Sequence, residues 1–154
     1  MRVLRREDAA ALHRLVNDWE VAKTLARVPF PYPRELADEW IASTWEQIAA
    51  GEAWHLAAAG EDDALLGCAG LTLDRKRGRA ELGYWIGRRH WGKGLGPEAA
   101  GRLARWALEE AGVDTVHASA LRDNARSIAV LRRLGFREAG EDLQTFLSRG
   151  GGPV

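Results

Sequence analysis

The stretch HWGKGLGPEAAGRL, residues 90–103, sets Gly92, Gly94 and Gly96 on alternate positions just ahead of a helix-forming run. Glycine loses more conformational freedom on folding than any other residue, so such a run needs a reason. The amides of a first helical turn have no partner within the helix. Together with the positive end of the helix dipole they form a ready site for an anion. The glycines let an anion reach the backbone, Pro97 suits a first turn that needs no N–H, and Arg88, Arg89 and Lys93 add positive charge. A plain surface turn would need neither the glycines nor the basic flank. A phosphate loop of the nucleotide type requires G-x-x-x-x-G-K-[ST], and a dinucleotide site requires G-x-G-x-x-G in a parallel βαβ unit. Here the spacing is G-x-G-x-G, Lys93 stands between glycines, and no Ser or Thr follows. Both nucleotide patterns therefore fail, and another anion is expected.

A second chemistry-bearing pair is Asn124 and Ser127 in DNARSIAVLRRLGF. Three residues apart, they share one face at the start of a predicted helix, where Asp123 or Asn124 can cap the first turn. His13, His55, His90 and His117 show no ligand spacing, so no metal is expected. His90 adjoins the glycine run, and His117 falls in a strand, where it is expected to pack. Arg132 and Arg133 read as exposed helix arginines. Cys68, the sole cysteine, lies in the apolar run LLGCAGLTL and reads as a small buried hydrophobe rather than a nucleophile.

These residues need elements to hold them. Helical spacing predicts a first helix over Glu7 to Asn17 and a short second one over Trp19 to Ala26. The alternating prolines of VPFPYP exclude both helix and central strand. A third helix places Leu36, Trp40, Ile41, Trp45 and Ile48 on one face and ends at Gly51. The period then falls to two: WHLAAA (54–59), LLGCAGLTL (65–73) and RAELGYWIG (79–87) read as consecutive antiparallel strands. After the glycine run, Ala99, Ala100, Leu103, Trp106 and Ala107 mark a long amphipathic helix closed by Gly112. TVHASAL (115–121) is a strand. The helix after Asn124 turns Ile128, Leu131 and Leu134 inward and stops at Gly135, and EDLQTFLS reads as a last strand. Helices on both sides of a mixed, mostly antiparallel sheet make an α+β, three-layer α/β/α sandwich.

The whole chain narrows the options further. At 154 residues it is expected to form one domain over 1–149, with a glycine-rich tail at 150–154. Its 22 basic and 22 acidic residues cancel, which speaks against nucleic acid or a membrane surface as partner. A single cysteine excludes an intramolecular disulfide framework and fits a cytoplasmic protein. No apolar run approaches membrane-spanning length, and MRVLRREDAA lacks a signal-peptide core.

Residues 80–136 carry E-L-G-Y-W, W-G-K-G, N-x-x-S and L-G-F in that order. In this they resemble the acetyl-CoA-binding half of the GNAT acetyltransferases. Within that superfamily the chain is most similar to the Rim-type branch, named for enzymes that acetylate the N-termini of ribosomal proteins. LVNDWEVAKTL and VPFPYP extend the likeness over the first half. The superfamily pattern opens the glycine loop with Gln or Arg, whereas Trp91 stands here, as in the Rim-type branch. The resemblance implies a GNAT fold and an acetyl-CoA-dependent N-acetyltransferase acting on a primary amine, either a protein N-terminus or a small molecule. The alternative is a catalytically silent CoA-binding module.

By that resemblance, Arg88, Trp91 and the loop Gly92, Lys93, Gly94, Leu95 and Gly96 wrap the CoA pyrophosphate. A backbone amide among Trp85, Ile86 and Gly87 meets the developing oxyanion. Asn124 bonds the pantetheine arm, and Ser127 lies near the thioester sulfur, able to donate to the leaving thiolate. Glu81 is the candidate base, directly or through water, with an ion pair to Arg79 or another arginine as the competing reading. Asn17, Trp19 and Phe30 are expected on the acceptor side. Family members carry a further strand after the position of SRGGGPV. The resemblance therefore implies either trimmed chain ends or a sheet completed by a partner chain, which leaves room for a homodimer.

Overall fold

The two-residue period of the middle third becomes a sheet, and the helical stripes on either side of it supply its covers. The computed structural model describes residues 1–150; beyond Gly150, the tail expected at 150–154 lies outside the described residues. The regular elements are β1 (Arg2–Val3), α1 (Ala9–Val16), α2 (Trp19–Ala22), α3 (Arg34–Ala50), β2 (Ala53–Ala59), β3 (Leu65–Asp74), β4 (Arg79–Ile86), α4 (Leu95–Glu109), β5 (Thr115–Ala118) and α5 (Ala125–Arg133). Strands run in the order β1-β2-β3-β4-β5. The first four are antiparallel, and β5 joins β4 in parallel.

Alternation along each strand divides the core in two. Ala57 and Cys68 turn to one face and pack with Leu12, Val16, Val21 and Ile41 of α1, α2 and α3. Ala69, Leu71, Ala80 and Leu82 turn to the other and meet Ala99, Ala100, Leu103 and Ala107 of α4. Leu131 of α5 is buried as well, and Leu134 and Phe136 pack beside α4. This is the α+β sandwich with helices on both faces. Cys68 is buried, and burial pushes its thiol well above the ordinary range.

Three expected elements differ. The second helix ends at Ala22 rather than Ala26, because the chain turns there to enter the proline-rich loop. The strand expected over 115–121 stops at Ala118. EDLQTFLS forms no extended strand: Leu143 is 73% exposed while Phe146 is 5% exposed, so the segment has a single apolar anchor instead of an alternating face. From Phe146 the chain lies against α2, with the Leu147 N–H donating to the Ala26 carbonyl at 3.0 Å.

The N-terminus is tied down by charge. Arg2 holds both oxygens of Asp8 at 2.8 Å and reaches Asp63, in the β2–β3 turn, through Nε at 2.7 Å. The Arg5 N–H donates to Asp8 at 2.7 Å, and the Arg5 guanidinium also pairs with Asp63. Burial works to raise the Asp8 pKa, but hydrogen bonds from Arg2 and Arg5 prevail and hold it below the usual carboxylate value of 3.8. Its stabilisation is therefore complete above the unfolded-state pKa and is lost as pH falls through the lower folded-state value. Asp8→Asn should cost about 3 kcal/mol near neutral pH, since it leaves a half-buried arginine short of its partner. The variant's stability should also depend less on pH below about 4. Urea denaturation of both proteins across that range checks both outcomes.

Candidate active site

Parallel pairing between β4 and β5 covers only Arg79–Leu82 and Thr115–Ala118. Beyond that, β4 runs on to Ile86 beside β3 alone. The two strands part, and one edge of β4 is left facing a wedge. The Gly87 N–H donates to the Leu66 carbonyl at 2.8 Å. Antiparallel alternation then turns the Trp85 N–H toward β3 as well, and turns the Tyr84 and Ile86 N–H groups to the wedge. Within the stretch Trp85 to Gly87, where one such amide is expected, strand pairing turns that of Ile86 to the wedge, with Tyr84 beside it.

The glycine loop closes one end of the wedge. Gly92 and Gly94 have φ of 78° and 76°, the left-handed range that glycine alone adopts freely. A Cβ at either would meet nothing within 4 Å, so the backbone there is open to approach. Gly94 caps α4, and its carbonyl accepts from the Glu98 N–H at 3.1 Å. Among the described residues, no hydrogen bond engages the N–H groups of Gly92, Lys93, Gly94, Leu95 or Gly96. Gly96 has a different reason: its Cβ would lie 3.1 Å from the Tyr84 ring, so it lets α4 sit close on β4. Arg88, Arg89 and Lys93 are exposed around the loop. Partial burial, with help from Lys93 and Arg89, lowers the His90 pKa. A row of free amides ringed by cations fits a phosphate group.

Trp91 fastens this loop to the sheet. Its Nε1–H donates to the Ile86 carbonyl at 2.8 Å, and the Arg126 guanidinium stacks 4.0 Å above its ring. Arg126 thus reaches from α5 to the loop, a link that sequence reasoning missed. On α5, the Asn124 Oδ1 accepts from the Ser127 N–H at 3.2 Å, so Asn124 is the cap and its amide nitrogen remains free to donate. The Ser127 hydroxyl lies 3.1 Å from the Tyr84 hydroxyl across the wedge. Burial raises the Tyr84 pKa against the opposing effect of Ser127, which keeps the phenol protonated. Tyr84 was legible only as part of an apolar face; a lone hydroxyl among Ala80, Leu82 and Ile86 was the available signal.

Glu81 lies on the opposite face of β4, exposed, with Thr72 and His117 as its cross-strand neighbours. No ion pair or hydrogen bond engages its carboxylate among the described residues, so the competing ion-pair reading has no support. His117 is exposed rather than packed, because no helix covers that end of the face. Trp19 and Phe30 come together as an edge-on ring pair 5.5 Å apart, 41% and 39% exposed. Asn17 differs: its Oδ1 accepts the Tyr32 N–H at 2.8 Å, which makes it a brace for the proline-rich loop. Arg132 pairs with Glu138 on the surface. No group of His, Cys, Asp or Glu suited to a metal occurs among the described residues.

A family model described as an acetyltransferase (GNAT) domain matches residues 1–137. An uncharacterized N-acetyltransferase, p20 of Bacillus licheniformis, is 31% identical over 142 residues, covering 91% of this chain and 79% of that protein. A Bacillus subtilis (strain 168) protein named "Putative ribosomal N-acetyltransferase YdaF" is 32% identical over 144 residues, covering 92% and 79%. Among solved structures, the ribosomal-protein-S5-alanine acetyltransferase from Vibrio fischeri superposes with a TM-score of 0.82 at 17% identity, covering 96% of this chain and 85% of that one.

The Trp91 anchor generates a local test. Trp91→Phe keeps a ring under Arg126 but removes the donor to Ile86, which should cost about 1 kcal/mol. The effect should concentrate in the loop, so amide exchange at residues 92–96 should speed up more than exchange in β3. Equal changes in both would show that the indole does not anchor the loop.

Proposed function

The chain belongs to the GNAT acetyltransferase family, and from that footing we propose that it transfers the acetyl group of acetyl-CoA directly to a primary amine. The observation that carries this reading is the wedge itself. The free amides of the glycine loop, the open edge of β4 and the Tyr84–Ser127 hydroxyl pair converge at one end of β4, and the unpaired Glu81 carboxylate lies on its other face. The amides of residues 92–96, with Arg88 and Lys93, are suited to the CoA pyrophosphate. Asn124 keeps two N–H donors for the pantetheine amides. Bound acetyl-CoA supplies the activated acyl group.

Each side chain then has a task that balances protons and charge. Glu81 takes the proton that the acceptor ammonium must lose before its nitrogen can attack the thioester carbon, directly or through water. The Ile86 N–H, with Tyr84 beside it, faces the negative charge that develops on the carbonyl oxygen. As the C–S bond breaks, Ser127 donates a proton to the thiolate and takes one from the protonated Tyr84 phenol; the second proton that the acceptor nitrogen loses on becoming an amide passes through water to restore the phenol, and Glu81 releases its own proton to water. A peptide N-terminus is the favoured acceptor, in keeping with the ribosomal relative and the branch-specific Trp91. A cytoplasmic location fits the buried free thiol of Cys68, and no helix among the described residues is long and apolar enough to cross a membrane.

Two measurements test the reading. At about a hundred times its dissociation constant, acetyl-CoA or CoA should stabilise the protein by roughly 2.7 kcal/mol, with far smaller shifts for NAD and ATP; equal shifts would indicate a generic anion site. Glu81→Gln should lower turnover about 10²-fold near neutral pH, with CoA binding retained and partial rescue at higher pH, where more acceptor is already neutral. Ser127→Ala should slow the reaction without that rescue. Wild-type turnover in Glu81→Gln would remove the glutamate from the chemistry.

A further inference from the structure

The nine-residue helix α5 begins at Asn124 and Ser127, yet it buries a single side chain, Leu131. Just beyond its end, Leu134 and Phe136 pack beside α4. A Cβ at Gly101 of α4 would lie 3.1 Å from Leu134, so the helices approach closely there. The other end has no such seat. Ser127 lies roughly 6 Å along the axis from Leu131, and Ile128 beside it is only half-buried. A helix seated at one end needs directed contacts to place the other. Among the described residues, two reach the start of α5 from other elements: the Tyr84–Ser127 hydroxyl contact at 3.1 Å and the Arg126 guanidinium 4.0 Å above the Trp91 ring.

The hydroxyl contact is interrupted whenever Ser127 turns to a thioester sulfur, whereas the stack touches no reacting group. Nearby Arg122 and Arg132 pair with Glu141 and Glu138. Arg126 is exposed and has no carboxylate partner among the described residues, so the indole face is its one directed contact. Trp91 in turn donates to the Ile86 carbonyl at 2.8 Å, and the Ile86 N–H faces the wedge. Side chains therefore bridge the start of α5 to the open edge of β4. The two ends of this bridge serve the sulfur and the carbonyl oxygen, both bonded to the same thioester carbon. The substrate fixes the spacing of those atoms, so the two donors must hold a matching one.

Taking the acetyl-transfer reading as its basis, we infer that Arg126 is a positioning residue. Acting through Trp91, it holds the Ser127 hydroxyl and the Ile86 amide at the separation that the thioester requires. Its contribution falls on the chemical step and not on affinity for the acyl donor.

With a peptide beginning in Ala as acceptor, Arg126→Ala should lower kcat about tenfold. The KM for acetyl-CoA and the Kd of CoA should change by less than about twofold. Arg126→Lys, which keeps a cation over the ring, should recover part of the rate. In a Trp91→Leu background Arg126→Ala should add no further loss, because the ring it acts through is gone. S-acetylpantetheine, a donor without phosphates, should show the same loss as acetyl-CoA. A loss confined to acetyl-CoA, or read as weaker CoA binding, would make Arg126 a phosphate ligand and overturn the inference. Amide exchange reads the bridge without turnover: in Arg126→Ala it should speed up at both 92–96 and 125–128 and stay unchanged in β3. Unchanged exchange at either end, equal acceleration in β3, or wild-type kcat overturns the inference. A wild-type protein that binds no CoA thioester overturns instead the acetyl-transfer reading on which it rests.

Discussion

Backbone pairing that stops after Leu82 and Ala118 is the constraint on which the rest of the site depends. A strand edge with free N–H and C=O groups must find partners in water or in a ligand. Here the protein fixes how that edge is offered. Trp91 takes the Ile86 carbonyl, and the hydroxyl contact between Tyr84 and Ser127 sets the distance to α5. Arg126 stacked on Trp91 ties α5 to the glycine loop. The wedge is thus a gap with its sides held, so a thioester arm can pair with β4 in place of the absent strand without first displacing a protein partner.

The sheet also gives β4 two different faces, and the proposed reading assigns one substrate to each. Alternation turns Tyr84 toward α4 and the glycine loop, and turns Glu81, Gly83 and Trp85 the other way, toward α1–α3. On the acetyl-transfer reading proposed above, acyl donor and acceptor approach β4 from different sides and meet where its edge is free. This division requires no long-range communication. It follows from the two-residue period of one strand, in which a single register fixes both faces together.

The same period explains what was legible in the sequence. The alternation of RAELGYWI located β4 and the faces of its residues, and the glycines at 92, 94 and 96 located the loop, because both signals are local. Gly51 and Gly135 also end their helices where composition placed them, at φ of 69° and 92°. The differences arise where distant segments decide the outcome. Asn17 is a brace only because Tyr32 folds back onto it, and His117 is exposed only because no helix reaches that end of the sheet. The direction of the Gly87 amide depends on pairing with Leu66, which no pattern within 79–87 reveals. EDLQTFLS has strand-like residues, but they present no second apolar position to the fold.

The acceptor side is built differently from the donor side. On the side where the acceptor is proposed to bind, two connecting segments are held by a few directed bonds. The proline-rich loop hangs on His13 and Asn17, whose side chains bond the Tyr32 carbonyl and N–H at 2.8 Å each. The C-terminal segment hangs on carbonyls at the end of α2 and just beyond it: Ser148 on Ala22 and Arg149 on Lys23 at 3.2 Å, and the Leu147 amide on Ala26 at 3.0 Å. Each segment also seats one buried aromatic, Tyr32 in the loop and Phe146 in the C-terminal segment, but neither takes part in the pairing of β3, β4 and β5. The donor side lacks that independence, since Tyr84 is part of β4 and Trp91 and Gly96 bond to or pack against it. On the proposed reading, the donor side is thus fixed to the sheet itself, whereas the acceptor side is held by separate segments.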